Sequence, residues 1–293
     1  MYIFKCAVVG AGAMGGEIAQ VISWAGLPVI LKDINQKMLD HGMATARGVY
    51  QRRVDKGKLT QAEMKEKMSL ITPALTYDEF GDVDFVIEAV PEKLNIKKAV
   101  FAELDKMCQS TAILATNTSA LSITAIAAAT KRPAQVVGFH FFNPASVMKL
   151  IEVVAGAQTS RDTIDTAITF AEELRKIPVA VKDSAGFVVN RVLMASMIEI
   201  IKAREELGAE HESVDAIVTA KGGVPMGPFL LADMLGLDIA DDVAGTLEKA
   251  YGPRFASPKE LRDLVAAGNL GVKTGKGFYT HTSSGDSHDA ARN

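Results

Sequence analysis

A glycine-rich turn between a short apolar run and a helical pattern constrains this chain more than any other feature. The run 3–9 is strand-like, residues 10–15 read GAGAMG, and apolar side chains recur at helical spacing over 14–24. Glycines at the first, third and sixth turn positions permit a tight turn, close approach of a ligand to the backbone, and packing of helix on strand. The helix N-terminus then offers free N–H groups to a pyrophosphate.

A carboxylate after the second apolar run indicates which dinucleotide that ligand is. Residues 28–31 form a second buried strand, and Asp33 stands about 20 residues beyond the turn, where dinucleotide-binding folds contact the adenosine ribose. A carboxylate there accepts both ribose hydroxyls and repels a 2′-phosphate, so the pattern favours NAD over NADP. The neighbouring Lys32 opposes that preference. The alternative is a doubly wound fold that binds no dinucleotide.

Strand-like and helical patterns alternate along the first part of the chain. Further strands are predicted at 84–89, 112–116, 135–140 and 149–154, with helices at 95–108 and 162–175. This alternation predicts an α/β fold, a Rossmann-type doubly wound parallel sheet covered by helices on both faces.

The pattern changes after Asp183. Four helices are predicted, at 187–207, 213–220, 231–251 and 258–267, with Gly and Pro between them. We therefore expect a Rossmann domain over 1–183, a smaller all-α domain over 184–281, and a disordered tail over 282–293, which has few apolar residues.

Composition excludes several classes of function. The 293 residues carry a formal net charge of −3, which gives no general attraction to nucleic acid or to an anionic membrane. No stretch approaches the roughly 20 apolar residues of a membrane span, and the N-terminus lacks the pattern of a secretion signal. Cys6 and Cys108 are expected to be reduced structural thiols. A cytoplasmic protein without a metal site is expected.

A charged segment, 51–67, interrupts the alternation of strands and helices. It contains six basic and three acidic side chains, and a long insertion of this kind in a doubly wound domain is unusual. Because the protein as a whole is slightly acidic, a polyanionic ligand would need such a local basic patch. A solvated helical hairpin explains the charges equally well.

His140 is the strongest candidate for an acid–base group. Removal of hydride from an alcohol needs a base for the hydroxyl proton, and the histidine pKa suits that task near neutrality. His140 ends a buried strand, and ligands of doubly wound sheets gather at the carboxyl ends of strands. A structural hydrogen-bonding role remains the alternative.

Two further polar sites accompany this histidine. Glu152 lies within the apolar run Leu-Ile-Glu-Val-Val, where a carboxylate is costly unless it is paired. Glu152 is therefore predicted to pair with His140 and orient it. The alternative is an edge strand on which Glu152 faces water. Asn117 and Ser119 follow another strand and would lie at the same carboxyl ends of the strands, where they could bind a substrate oxygen. A helix N-cap explains these residues equally well.

Seven motifs occurring in order give a specific resemblance. They are Gly-Ala-Gly-x-Met-Gly at 10–15, Val-Ile-Glu-Ala-Val-Pro-Glu at 86–92, Asn-Thr-Ser at 117–119, His-Phe-Phe-Asn-Pro at 140–144, Asp-Ser-Ala-Gly-Phe-Val-Val-Asn-Arg at 183–191, Pro-Met-Gly-Pro-Phe at 225–229 and Lys-Thr-Gly-Lys-Gly-Phe-Tyr at 273–279. Over about residues 2–280 the chain resembles the 3-hydroxyacyl-CoA dehydrogenase family, and most closely its short stand-alone 3-hydroxybutyryl-CoA dehydrogenases.

The resemblance implies NAD-dependent, reversible oxidation of an L-3-hydroxyacyl-CoA, with His140 as base and Glu152 as its partner. It implies substrate contacts from Ser119 and Asn190, and CoA phosphate contacts from Arg52 and Lys56. It also implies a homodimer formed through the helical domain. The expected cofactor-binding residues are Gly10, Gly12, Ala13, Met14, Gly15, Asp33, Glu92, Lys97, Asn117, Ser119 and Asn143.

Two other functions stay open from the sequence. A dehydrogenase of free β-hydroxy acids shares the glycine turn and a helical second domain, but those enzymes typically use a lysine base. A non-catalytic NAD-binding protein of the same fold is the second, although the intact set of candidate catalytic residues argues against it.

Overall fold

A computed structural model describes residues 2–281 of the chain, and the predicted tail at 282–293 lies outside them. Two compact units follow one another in sequence, the first ending at Phe187 and the second beginning at Val188. The boundary predicted near Asp183 precedes this point slightly.

The first unit alternates strands and helices. Its strands, β1 to β8, are Cys6–Val9, Val29–Lys32, Ile71–Ala74, Phe85–Glu88, Ile113–Thr116, Val136–Phe141, Leu150–Ala155 and Ile177–Lys182. Its helices, α1 to α6, are Gly15–Trp24, Gln36–Asp55, Gln61–Ser69, Leu94–Met107, Ile123–Ala127 and Arg161–Glu173. A 3₁₀ turn at Pro133–Gln135 precedes β6.

All eight strands described in this unit form one sheet in the order β3-β2-β1-β4-β5-β6-β7-β8. The first six follow the order of a dinucleotide-binding sheet and run parallel. The prediction of an all-parallel sheet is wrong for the last two strands, because β7 is antiparallel to β6 and β8 runs parallel to β7. The connection 142–149 is shorter than the dozen or so residues that a parallel crossover needs.

Each central strand is buried on both faces, which explains its continuous apolar sequence. Along β1, Cys6 and Val8 join the apolar cluster formed with α1, α2, α3 and α6. Ala7 and Val9 point the other way, into the cluster formed with α4 and α5. The sheet thus separates two apolar layers, and the period-2 alternation assigns each side chain to one of them.

The glycine turn has the tight geometry that its sequence predicts. Gly10 has a φ of 104°, and a Cβ added there would lie 2.6 Å from the carbonyl oxygen of Ala89. A Cβ on Gly15 would lie 1.7 Å from the carbonyl oxygen of Gly10. Larger residues at these two positions would therefore push α1 away from β1 and β4.

Two strands escaped the sequence-based prediction, and both are the outermost strands of the sheet. β3 contains Pro73 and β8 contains Pro178. Proline is tolerated at a sheet edge because its missing N–H faces away from the ladder. Because these segments are partly exposed and contain a proline, their sequence pattern is typical of loops.

The second unit is helical. Helices α7 to α11 are Val189–Leu207, His211–Gly222, Pro228–Leu235, Leu237–Tyr251 and Lys259–Ala266. Short 3₁₀ turns occur at Pro253–Phe255 and Val272–Thr274. The single helix predicted over 231–251 is wrong, because Gly236 adopts a φ of 99° and separates α9 from α10. Within residues 2–281, no helix combines the length and apolar character that a bilayer crossing requires.

Candidate active site

His140 and Glu152 form a buried pair across two adjacent strands. They are direct partners in the antiparallel β6–β7 ladder, so their side chains leave the sheet on the same face. Nδ1 of His140 lies 2.9 Å from Oε2 of Glu152, and Glu152 is only 1% exposed. The alternative of an edge-strand glutamate in water is wrong, because β7 lies between β6 and β8.

Glycine makes room for this pair. Gly138 precedes His140 on the same face of β6 and is the ladder partner of Val154. A Cβ on Gly138 would lie 2.7 Å from the Cβ of Val154. The small residue thus allows β6 and β7 to keep the register that brings the imidazole to the carboxylate.

Ser119 contacts the other ring nitrogen of His140. Its Oγ lies 3.1 Å from Nε2, in the loop that follows β5. The N-cap of α5 is Ser122, whose Oγ accepts a hydrogen bond from the N–H of Ala125, so capping does not explain Ser119. Asn117 ties the same loop to β6, because its Oδ1 accepts a hydrogen bond from the N–H of Phe141 at 2.8 Å.

Two aromatic rings flank the imidazole. The ring centroids of Phe142 and Phe187 lie 4.6 Å and 5.9 Å from that of His140. Phe187 is 2% exposed and has a φ of 46°, a conformation that bulky residues rarely adopt. These contacts restrict the ring plane of His140, while Glu152 and Ser119 hold its two nitrogens.

A second buried ion pair joins the end of β4 to the first turn of α4. Nζ of Lys97 is 2.8 Å from Oε1 of Glu88, and both side chains are at most 1% exposed. Oε1 of Glu88 also accepts from the N–H of Val90, and Oε2 accepts from the hydroxyl of Thr116. Each oxygen of this buried carboxylate therefore has a donor, as burial of a charge requires.

Glu92 extends this network to Ser119. Its Oε2 lies 3.2 Å from Nζ of Lys97, and its Oε1 accepts a hydrogen bond from the N–H of Ser119 at 3.0 Å. Cofactor contacts from Glu92 and Lys97 stay a prediction; in the structure Glu92 holds the Ser119 loop, and Lys97 holds Glu92. Glu88 is not among the predicted site residues, although it interrupts an apolar run as Glu152 does.

Asp33 lies against the glycine turn. Its Oδ2 accepts a hydrogen bond from the N–H of Ala11 at 2.8 Å, which fixes the carboxylate beside the turn. The adjacent Lys32 is buried, and its Nζ lies 4.1 Å from the centroid of the Tyr77 ring. Burial lowers the pKa of Lys32, against the opposite influence of the Glu103 and Asp33 carboxylates.

The remaining candidate residues lie in different parts of the fold. Asn143 is exposed in the loop after β6. Arg52 and Lys56 are exposed at the end of α2, in the predicted charged segment, which forms the end of α2 and most of α3. Asn190 belongs to the first turn of α7 in the second unit. Among the described residues, no group of three or more His, Cys, Asp or Glu side chains is arranged to hold a metal ion.

Comparison with known proteins identifies the family. The NAD-binding domain model of 3-hydroxyacyl-CoA dehydrogenase matches residues 5–184, and the model of the C-terminal domain matches residues 186–281. The chain belongs to the 3-hydroxyacyl-CoA dehydrogenase family. This confirms the predicted family, the Rossmann and helical fold classes, the NAD cofactor and the assignment to the NAD-dependent dehydrogenases.

Two relatives differ in how much of their length the chain covers. A 3-hydroxybutyryl-CoA dehydrogenase of Clostridioides difficile is 40% identical over 94% of this chain and 99% of that protein. The fatty acid oxidation complex subunit alpha of Colwellia psychrerythraea is also 40% identical over 94% of this chain, which spans only 38% of that subunit.

Solved structures give the same grouping. The crystal structure of (S)-3-hydroxybutyryl-CoA dehydrogenase PaaH1 from Ralstonia eutropha superposes with a TM-score of 0.93 at 37% identity, covering 96% of this chain and 100% of that one. FadB2 of M. tuberculosis superposes with a TM-score of 0.92, also at 37% identity, with coverage of 96% and 100%.

The Glu88–Lys97 pair gives a test of the electrostatics of the site. Glu88→Gln keeps the size of the side chain but removes the buried carboxylate partner of Lys97, whose ammonium then keeps only the Val90 carbonyl and the half-exposed carboxylate of Glu92. Because removal of one partner of a buried pair leaves a buried charge that Glu92 compensates only in part, we expect the free energy of unfolding to fall by about 3 kcal/mol, measured by urea unfolding. Glu88→Gln combined with Lys97→Met should recover most of the loss. A single variant as stable as the parent would contradict the account.

Proposed function

We propose that the protein catalyses reversible, NAD-dependent oxidation of L-3-hydroxyacyl-CoA to 3-oxoacyl-CoA, with short acyl chains as its substrates. One observation carries the proposal. A buried imidazole has a carboxylate at one nitrogen and a hydroxyl at the other. This group lies at the carboxyl ends of the parallel strands, where such folds bind ligands. The preference for short chains is supported by relatives named 3-hydroxybutyryl-CoA dehydrogenases.

His140 is the proposed general base and acid. Glu152 accepts the Nδ1–H bond, which leaves the Nε2 lone pair directed toward Ser119. In oxidation, Nε2 takes the proton of the substrate hydroxyl, and Glu152 stabilises the imidazolium that forms. In reduction, the imidazolium returns that proton. NAD, when bound, supplies the chemistry of hydride acceptance from C3.

Ser119 and Asn190 are the proposed substrate-binding groups. The Ser119 hydroxyl lies at hydrogen-bond distance from Nε2, so a substrate oxygen that lies beside both atoms would meet a donor and the base. Asn190 is assigned to the acyl oxygens by the family resemblance.

The glycine turn fits the pyrophosphate of NAD. α1 begins at Gly15 without a side-chain cap, so its first N–H groups can serve a ligand. A Cβ on Gly12 would meet only the Met38 methyl, 4.0 Å away, so there is open space above the turn. We assign the phosphates to Gly10, Gly12, Ala13, Met14 and Gly15. Asp33 is assigned to the adenosine ribose, and the remaining cofactor contacts to Glu92, Lys97, Asn117, Ser119 and Asn143.

Arg52 and Lys56 are the proposed CoA phosphate contacts. They are one helical turn apart at the end of α2, and both are exposed.

A homodimer through the helical unit is proposed as well. It is supported by apolar side chains exposed on four of its helices: Val192, Ile217, Met234 and Ile239. The cytoplasmic location expected from the sequence stays a prediction.

Replacement of His140 tests the proposed reaction. His140→Ala should lower kcat with acetoacetyl-CoA and NADH by about 10²–10⁴-fold, because general acid–base catalysis typically contributes that much. NADH binding should change little. His41→Ala, which removes an exposed imidazole, is the matched control and should retain parental turnover. A His140→Ala enzyme within tenfold of the parent would refute the assignment.

Asp33→Asn tests the cofactor preference. The amide can still accept from the N–H of Ala11 but carries no charge, so it repels a 2′-phosphate less. We expect the ratio of the NADP to the NAD dissociation constant to fall about tenfold, the effect of roughly one charged hydrogen bond. Fluorescence titration with both reduced cofactors measures the ratio. A parent protein that already prefers NADP would show this interpretation of Asp33 to be wrong.

Arg52→Ala combined with Lys56→Ala tests the CoA contact. The Michaelis constant for acetoacetyl-CoA should rise about tenfold through loss of two charge-assisted contacts, while that for a truncated thioester lacking the nucleotide should not change. Lys106→Ala with Lys131→Ala alters net charge equally at exposed positions elsewhere in the first unit and is the control. An equal rise for both thioesters would eliminate this patch as a CoA site.

A further inference from the structure

The loop 142–149 connects His140 to Glu152 in the chain. Its Phe142 packs on the imidazole, and its exposed Asn143 is a proposed cofactor contact. We call this segment the β6–β7 loop. It lies between the two strands that carry the acid–base pair, so its position affects whatever Asn143 contacts. Its backbone is held at several points by side chains from distant parts of the sequence.

Glu17 makes the most distant of these contacts. It stands in the first turn of α1, directly after the glycine turn. Its Oε2 accepts two hydrogen bonds from Ser146, one from the backbone N–H at 3.0 Å and one from the hydroxyl at 3.1 Å. One carboxylate oxygen thus joins the helix proposed to bind the pyrophosphate to the β6–β7 loop.

Lys176 holds the same loop at two other points. Its Nζ donates to the carbonyl oxygens of Ala145 at 2.5 Å and Met148 at 2.8 Å. Ala145 itself is fully buried. Lys176 thus binds two backbone carbonyls of the loop, while Glu17 links Ser146, in the middle of the loop, to α1.

We propose that Glu17 is a positioning residue that fixes the β6–β7 loop, and Asn143 with it, against the pyrophosphate-binding helix. It would thereby set the distance between the nicotinamide and His140. The inference rests on the proposed function, since it assumes that Asn143 contacts the cofactor. A near-attack geometry is sensitive to displacements of about 1 Å, so loss of such a link should reduce turnover.

The charge of Glu17 gives the proposal a distinctive signature. A carboxylate beside the glycine turn repels a bound pyrophosphate, so it opposes phosphate binding while it holds the loop. Removal of the carboxylate should therefore leave phosphate binding intact or improve it, and yet slow hydride transfer. A purely structural role would make both properties worse together.

The test compares Glu17→Ala and Ser146→Ala in the full chain. For Glu17→Ala we expect the dissociation constant of ADP-ribose, which lacks nicotinamide, to be unchanged or lower. We expect kcat with acetoacetyl-CoA to fall about tenfold, and the deuterium isotope effect with C4-deuterated NADH to rise. Ser146→Ala keeps the charge and one hydrogen bond, so it should show a smaller fall in kcat and unchanged ADP-ribose binding.

Asp162→Ala, which removes an exposed acid from the first turn of α6, is the matched control and should retain parental kcat. Unchanged kcat in both Glu17→Ala and Ser146→Ala would overturn the proposal, and so would parallel losses of kcat and ADP-ribose binding. If Glu17→Ala does not fold, Ser146→Ala decides alone. A parent chain inactive with acetoacetyl-CoA would instead overturn the proposed function and this inference with it.

Discussion

The register between β6 and β7 is the constraint on which the rest of the site depends. Because side chains alternate between the two faces of a strand, a slip of one residue would place Glu152 among the apolar side chains that contact α1 and α6. His140 would then lose its carboxylate partner. The antiparallel return of β7, the short loop before it and the absence of a side chain at Gly138 all preserve this one pairing.

A second layer of polar contacts fixes the hydroxyl side of the histidine. The buried Glu88 holds Lys97, Lys97 contacts Glu92, and Glu92 accepts from the backbone of Ser119. Strand ends that are adjacent in the sheet but distant in sequence are joined in this way. Ser119 therefore contacts His140 from a loop whose backbone is already fixed, so the contact needs little reorganisation.

Much of this arrangement follows from local sequence pattern. The glycine turn, the central strands and the oddly placed Glu152 were predictable because each depends on periodicity or on the cost of burying a charge. The proline-containing β3 and β8 were not, since edge strands lack a continuous apolar signal. The antiparallel direction of β7 cannot be predicted from alternation, because alternating strands and helices favour parallel strands throughout.

Pairing between distant residues is harder to predict than the residues themselves. Glu88 carried the same signal as Glu152 but was overlooked, while the Glu17–Ser146 contact has no sequence signature, because 129 positions separate its partners. The break at Gly236 also went unrecognised, since apolar spacing continues across it. Backbone conformation at that glycine, rather than hydrophobic periodicity, ends the helix.

The central claim is that this fold positions His140 to transfer a proton during the oxidation of a hydroxyacyl-CoA thioester. The most direct test follows NADH absorbance when the purified chain is mixed with acetoacetyl-CoA or, separately, with free acetoacetate. The account predicts rapid NADH oxidation with the thioester and at most slow oxidation with the free acid. Equal or faster oxidation with the free acid, or none with either substrate, would contradict it.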